Sequence, residues 1–215
     1  FSRKIKLAPQ TPPAPVPSSS VLDSARNYFS LILSEPAFRS FAIKKFVYIS
    51  AVSLSMPILP LFFVREVHAS DSQIGTINMT MTLVMLVGYF LWPWTSRKYG
   101  GRFVLLATTL GMAFYPALTA ATPRVELIIL YAGIAGLFQS GLDLVFFDEL
   151  MKTVPPEYSA TFVSFSQSLQ YVSAIIAPTV GTWLADIIGL GGALWVSAGL
   201  RIFGFLLFLI PDRRK

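Results

Sequence analysis

Residues 74–121, IGTINMTMTLVMLVGYFLWPWTSRKYGGRFVLLATTLGMAFYPALTAA, contain two long apolar runs separated by a short basic loop. The first run ends at Trp94 and the second begins at Phe103. An α-helix rises about 1.5 Å per residue, so about 20 residues cross the roughly 30 Å hydrocarbon core of a lipid bilayer. This stretch therefore predicts two membrane-spanning helices joined by a turn at one membrane surface.

Similar apolar runs occur on both sides of this stretch, and together they predict six spans. The predicted spans are Phe41–Phe63, Ile74–Trp94, Phe103–Ala121, Leu127–Phe147, Ala160–Ile188 and Gly192–Ile210. The expected fold is an all-α membrane protein with six transmembrane helices in residues 41–215. Little of the chain is left for a soluble domain.

The Lys and Arg residues fall on alternate loops, which predicts the orientation of the chain in the membrane. Cations in short loops resist translocation, whereas acidic residues have much less influence. Of the 17 cations, Arg201 lies inside the last span, and Arg65 and Arg124 lie in loops on one side. The others all fall on the opposite side: Arg3, Lys4, Lys6, Arg26, Arg39, Lys44, Lys45, Arg97, Lys98, Arg102, Lys152, Arg213, Arg214 and Lys215. Both termini are therefore expected to face the cytoplasm.

The composition argues against several classes of function. The net charge of +6 and the pI of about 9.7 follow from the loop asymmetry, so we expect no nucleic-acid partner. With 54% hydrophobic and 13% charged residues, the chain does not have the composition of a disordered protein. There is no cysteine, and the one histidine is His68, which excludes a disulfide and a zinc site of two histidines. The glycine clusters match no nucleotide-binding fingerprint, so we expect no enzyme activity, no cofactor and no metal.

The first 40 residues divide into two predicted segments. Residues 1–20 include APQTPPAPVPSSS, which is typical of a flexible proline-rich linker. Residues 21–40 predict a helix, either amphipathic and lying on the membrane surface or a solvated linker helix. A linker normally joins two parts, and the first residue is Phe1 rather than Met. We therefore expect the chain to be cut from a longer protein.

Several segments of the chain resemble the C-terminal half of a major facilitator superfamily transporter of the general bacterial type. They are PAFRSFAIKKF (36–46), ASDSQIG (69–75), GYFLWPWTSRKYGGRFVLL (88–106), VPPEYSATFVS (154–164), PTVGTWLADIIGL (178–190) and ALWVSAGLRIFGFLLFL (193–209). The resemblance implies half of a twelve-helix fold, in which six helices form two inverted three-helix repeats. It also implies a missing N-terminal six-helix half as partner and a location in the bacterial inner membrane.

The cytoplasmic signature loop departs from the family pattern. The family has roughly Gly-x-x-x-Asp-Arg-x-Gly-Arg-Arg, and alignment on Gly100 and Arg102 places Arg97 at the position of the aspartate. Gly101 replaces one of the arginines, and Lys98 stands at the position of another. The acidic group is therefore absent from this loop. We expect a tight glycine turn flanked by cations, without the charge-switch role that the motif plays elsewhere in the family.

Two polar stripes are the candidates for a solute or ion path. On span four, Gln139 and Asp143 share a helical strip with small residues, and an ionisable group at membrane depth often marks such a path. Close helix packing or wetting from the cytoplasm is the alternative explanation of this strip. On span five, the stripe consists of Thr161, Ser164, Gln167, Ser168 and Tyr171. A seam of hydrogen bonds against the missing half explains this second stripe as well as solute contact does.

Arg201 is the remaining ionisable residue at depth. A cation near the membrane midplane must find a partner or draw in water. Depth along the spans suggests Asp143 as the partner, with Gln139 as a further contact. The pair would be a structural strut, or Arg201 would bind an anionic solute.

Three functional interpretations follow from these observations. The first is the C-terminal half of a secondary active transporter that moves a small solute by alternating access. The second is a six-helix protein that pairs with a copy of itself. The third is a membrane scaffold or delivery protein of transporter-like fold that carries no solute. The residues do not identify the solute, the coupling ion or the direction of transport.

Overall fold

The computed structural model describes residues 34–210. Over this range the chain is helical and contains no β-strand. Its helices are α1 (Pro36–Ser55), α2 (Ile58–Arg65), α3 (Asp71–Tyr99), α4 (Gly101–Ala120), α5 (Val125–Thr153), a 3-10 turn (Pro156–Tyr158) and α6 (Ser159–Leu209). The predicted linker at 1–20, and the predicted helix at 21–40 as far as residue 33, lie outside the described residues.

The first predicted span is divided in the structure. The helix begins at Pro36, five residues before the predicted start of the span, and it breaks between α1 and α2 at Pro57. Proline has no N–H group and cannot donate to the carbonyl of Ser53 one turn earlier. The N–H of Met56 donates to that carbonyl instead, at 3.1 Å, which ends α1 in a tighter turn.

Five helical stretches in the described range are long and apolar enough to cross a membrane: Pro36–Arg65, Asp71–Tyr99, Gly101–Ala120, Val125–Thr153 and Ser159–Leu209. The last contains 51 residues, and its backbone leaves the helical conformation at Gly189, where φ is 80° and ψ is 163°. This conformation is essentially restricted to glycine. We call residues 159–188 α6a and residues 190–209 α6b.

The chain reverses direction at Gly189. Lys44 donates to the carbonyl of Ile210 at 2.9 Å, and its neighbour Lys45 donates to the hydroxyl of Ser166 at 3.1 Å. A straight helix would separate Ser166 from Ile210 by about 66 Å. Since both ends of α6 meet adjacent residues of α1, α6a and α6b must fold back beside each other.

The helix ends that carry most of the cations meet at one end of the bundle, which we call the basic end. Arg102, at the start of α4, donates to the carbonyl of Leu209 at 3.0 Å, next to the Ile210 carbonyl that binds Lys44. Cations at these positions satisfy carbonyls that the last turn of a helix leaves without partners. The start of α1, the start of α4 and the end of α6b therefore share this end.

The core lies between α1, α4, α5 and α6b. Tyr48 is fully buried and donates to the carbonyl of Thr109 at 2.7 Å, which joins α1 to α4. Its ring packs against Phe146 of α5 and Phe208 of α6b, with centroids 5.9 and 6.4 Å away. Helix α3 packs mainly on α5, where Trp92 donates from its indole nitrogen to the carbonyl of Leu137 at 2.6 Å.

Candidate functional site

Asp143 of α5 is held by two neutral donors on the surface of the bundle. The hydroxyl of Tyr89, on α3, donates to Oδ2 at 3.0 Å, and the amide of Gln139 donates to Oδ1 at 2.8 Å. Gln139 and Asp143 are one helical turn apart, so they lie on the same face of α5. Both carboxylate oxygens are thus oriented by side chains while the carboxyl group stays exposed. Tyr89 is not among the sequence candidates, because its contact with Asp143 depends on how α3 packs on α5.

This cluster lies at a defined depth below the basic end. Asp143 precedes the end of α5 at Thr153 by ten residues, and Tyr89 precedes the end of α3 at Tyr99 by ten. Both are therefore about 15 Å along their helices from the basic end. Lys45 of α1 lies nearer that end, because the adjacent Lys44 reaches the carbonyl of Ile210 there. We call Lys45, Tyr89, Gln139, Asp143 and Ser166 the polar belt.

Lys45 is the second charged member of the polar belt. Its ammonium group donates to Ser166 and lies 5.9 Å from the centroid of the Phe146 ring. Phe146 belongs to α5, so Lys45 contacts both α5 and α6a. The sequence places Lys45 among the cations expected on the cytoplasmic side. In the structure this lysine is half-buried against α5 and α6a.

The stripe on α6a points away from its own bundle. At about 100° per residue, the stripe is centred roughly 155° from the centre of the buried face of the same helix. That buried face consists of Phe162, Ser166, Ser173, Ala177 and Gly181. Ser164, Gln167, Ser168 and Tyr171 are exposed, and Thr161 is half-buried. The contacts of the described residues do not bring this stripe together with Asp143.

The predicted pair between Arg201 and Asp143 does not form. Arg201 is 2% exposed and donates to the carbonyl of Met112 at 2.8 Å and to the hydroxyl of Ser55 at 2.6 Å. Pro116 lies inside α4 and leaves the Met112 carbonyl without its usual intrahelical donor, so the guanidinium has an acceptor in the core. Asp143 meanwhile binds Tyr89 and Gln139.

The signature loop forms the predicted glycine turn at the basic end. Gly100 has a φ of 87° and separates α3 from α4 without any other intervening residue. Lys98 lies over the rings of Trp94 and Tyr99, 5.3 and 5.1 Å from their centroids. Arg97 is exposed and lines a groove beside α5.

Acidic groups are present beside this turn, but they come from α5 rather than from the loop. Lys152 pairs with Asp148 at 2.5 Å and with Glu149 at 2.8 Å. A Cβ atom added to Gly101 would lie 3.0 Å from the ammonium of Lys152 and 3.2 Å from the carboxylate of Asp148. The local sequence gives no sign of this arrangement, because the end of α5 follows the loop by roughly 50 residues. Within residues 34–210 no group of three or more histidine or acidic residues could hold a metal ion.

The helical architecture and the signature turn agree with the comparison of the chain with known families. The model of the Major Facilitator Superfamily matches residues 41–215. The chain belongs to this superfamily of membrane transport proteins, which confirms the resemblance seen in the sequence.

The individual relatives are only distantly similar to this chain in sequence. The chain is 26% identical over 174 residues to the multidrug resistance protein MdtG of Citrobacter koseri, a match that covers 77% of this chain and 42% of the relative. It is 27% identical over 174 residues to MdtG of Enterobacter lignolyticus, covering 77% and 40%, and 27% identical over 169 residues to MdtG of Serratia proteamaculans, covering 75% and 40%. The chain therefore spans about two fifths of the length of these relatives.

Proposed function

We propose that this chain is the C-terminal half of a secondary active transporter and that it crosses the bacterial inner membrane six times. The reversal at Gly189 divides α6 into two segments of 30 and 20 residues, and each is long enough for one crossing. With α1 and α2 as one interrupted crossing, this makes six. The cations gathered at the basic end support a cytoplasmic position for both termini.

The six segments divide into two inverted repeats, α1–α4 and α5–α6b. In such an arrangement α3 is equivalent to α6a and α4 to α6b. Gly100 joins the first of these pairs and Gly189 joins the second, with nearly the same backbone angles: φ 87° and ψ 154° against φ 80° and ψ 163°. The packing follows the same exchange, because α3 contacts α5 while α6a contacts α1. This agreement supports two copies of one three-helix unit.

The second half of the transporter covers the stripe on α6a. Ser164 and Gln167 face away from the bundle at membrane depth, where lipid offers no hydrogen bonds, whereas the hydroxyl of Ser168 donates to the carbonyl of Ser164. Another bundle with polar side chains satisfies them, and the relatives are long enough to contain one. A second copy of this chain in place of an N-terminal half is the alternative partner.

Asp143 is the observation that carries the transport proposal. Its carboxylate is fixed by Tyr89 and Gln139 and remains open on one side, so a solute or a coupling ion can bind there without breaking a salt bridge. Alternating access then exposes the Asp143 carboxylate to each side of the membrane in turn. Because the relatives are named multidrug resistance proteins, we propose drug-like organic compounds as solutes and export as the direction.

The test is an efflux assay with the complete protein in cells that lack their main drug exporters. We expect Asp143→Asn to abolish the export of fluorescent drug-like dyes at an unchanged protein level in the membrane. Asp186→Asn is the control. It removes an exposed carboxylate near the end of α6a that is farther from the basic end, and it should leave export intact. Export by the Asp143→Asn variant at the normal rate would refute the role of the carboxylate. Absence of export of any dye class by the unmodified protein would favour the scaffold alternative.

A further inference from the structure

A groove on the outside of the bundle runs between α4 and α5. Its volume is about 400 Å³, and α4 lines it with a row that includes Ala107, Gly111 and Leu118. Ile134 and Phe138 of α5 form the opposite wall. Apart from the tips of two tyrosines, the lining is made of apolar side chains. Both helices are long and apolar enough to cross a membrane, so this groove lies at membrane depth.

The groove continues into a cationic aromatic platform at the basic end. Phe103 precedes Ala107 by four residues and therefore lies on the same face of α4. The ring of Tyr99 packs on Phe103 with centroids 5.4 Å apart, and the ammonium of Lys98 lies over Tyr99. Tyr99 and Phe103 are 56% and 50% exposed, so this platform is open to the membrane interface.

The charges around the platform are predominantly positive. Arg97, Lys98, Arg102 and Lys152 lie on or beside the α3–α4 turn, against the carboxylates of Asp148 and Glu149. Both carboxylates pair with Lys152. The ammonium of Lys98 instead lies over two aromatic rings. The ammonium of Lys98 can therefore interact with an anionic group at this surface.

We propose that this surface binds an anionic phospholipid of the adjoining leaflet, with one acyl chain in the α4–α5 groove and the phosphate headgroup at Lys98. The path from Phe103 to Phe114 covers about 16 Å of helix, which is close to the thickness of one leaflet of the hydrocarbon core. The apolar groove and the cation at its interfacial end match the two parts of such a lipid. This assignment does not depend on what the protein transports.

The test is native mass spectrometry of the purified, delipidated complete protein, titrated with phosphatidylglycerol and with phosphatidylcholine. We expect phosphatidylglycerol to bind about fivefold more tightly. Lys98→Gln should weaken its binding about fivefold, which corresponds to one cation near the membrane surface. Arg124→Gln removes an exposed cation at the other end of the bundle and serves as the matched control.

Filling the groove tests the position of the acyl chain. Ala107→Phe should reduce phosphatidylglycerol binding, whereas Val196→Phe, on the exposed face of α6b, should not. Ile134→Trp fills the groove from its other wall and replaces the first variant if Ala107→Phe lowers the unfolding temperature. Equal binding of the two lipids, or full binding by Lys98→Gln, would overturn the headgroup assignment. Full binding by a folded groove-filled variant would overturn the groove assignment.

Discussion

Arg201 donates from Nη1 to the backbone carbonyl of Met112 at 2.8 Å, and this is the carbonyl that Pro116 leaves without a helical donor. The second donation of Arg201 goes to Ser55, the last residue of α1 before the break at Pro57. One buried side chain of α6b thus connects two helices at the places where proline interrupts them. This geometry supports a structural strut rather than a cation that binds solute.

The strut predicts a specific coupling between Arg201 and Pro116. Arg201→Met should lower the free energy of unfolding by about 1–2 kcal/mol, because the Met112 carbonyl becomes a buried acceptor without a donor. Pro116→Ala restores a backbone N–H at this position of α4, and that group can donate to the Met112 carbonyl. In the Pro116→Ala background, Arg201→Met should therefore cost about 1 kcal/mol less.

Denaturant titration of the four proteins of this double-mutant cycle, in detergent, measures the coupling. An identical cost of Arg201→Met in both backgrounds would argue against the strut. An Arg201→Met variant of normal stability with altered solute preference would argue against it as well.

The two glycine turns predict a matched loss of stability. Gly189 and Gly100 adopt backbone angles that side chains strongly disfavour, although open space surrounds the position of a Cβ atom at both. Gly189→Ala and Gly100→Ala should therefore each lower the free energy of unfolding by about 1–3 kcal/mol through backbone strain alone. Thermal unfolding in detergent measures this loss.

Gly199→Ala is the control for these turns. Gly199 has equally open surroundings and lies within α6b, so alanine there should be neutral or slightly stabilising. If Gly189→Ala behaved like Gly199→Ala, the strain at the reversal would be disproved.

The proposed topology predicts opposite labelling of the two ends of the bundle. The chain has no cysteine of its own, so single cysteines can be placed without background from this part of the protein. Arg124 and Arg97 are both exposed, and they lie at opposite ends of the bundle. A membrane-impermeant maleimide added to intact cells should label Arg124→Cys and should reach Arg97→Cys only after permeabilisation. The reverse pattern would contradict cytoplasmic termini.

The length of the spans is predictable because the bilayer imposes it. Residues 74–121 have the apolar length and the basic turn that a membrane requires, and α3 and α4 are close to that prediction. The family can also be recognised from the sequence, because its turns and prolines lie in motifs of neighbouring residues. The backbone reversal at Gly189 lies within the predicted gap between Ile188 and Gly192.

The partners of the charged residues are not predictable, because they depend on side chains and carbonyls far apart in the sequence. Depth along the spans predicts a pair between Arg201 and Asp143. In the structure Pro116 leaves the carbonyl of Met112 without a helical donor, and Arg201 binds this carbonyl in the core instead. Asp148 lies beside the turn of the signature loop, and no spacing rule relates it to that loop. The position of Lys45 in the sequence indicates only that it lies near the start of the first span. A single sequence does not show that α5 and α6a pack on it.

The polar belt predicts that Tyr89 acts through Asp143. Tyr89→Phe keeps the ring on α3 but removes the donor to Oδ2, so export should fall several-fold while Asp143 retains its bond from Gln139. Initial rates of dye export at equal protein levels measure this. Tyr99→Phe is the control, because it removes an exposed hydroxyl at the basic end and should leave export unchanged. A comparable loss of export in Tyr99→Phe would contradict a specific role of Tyr89 in transport. Full export by Tyr89→Phe would contradict it as well.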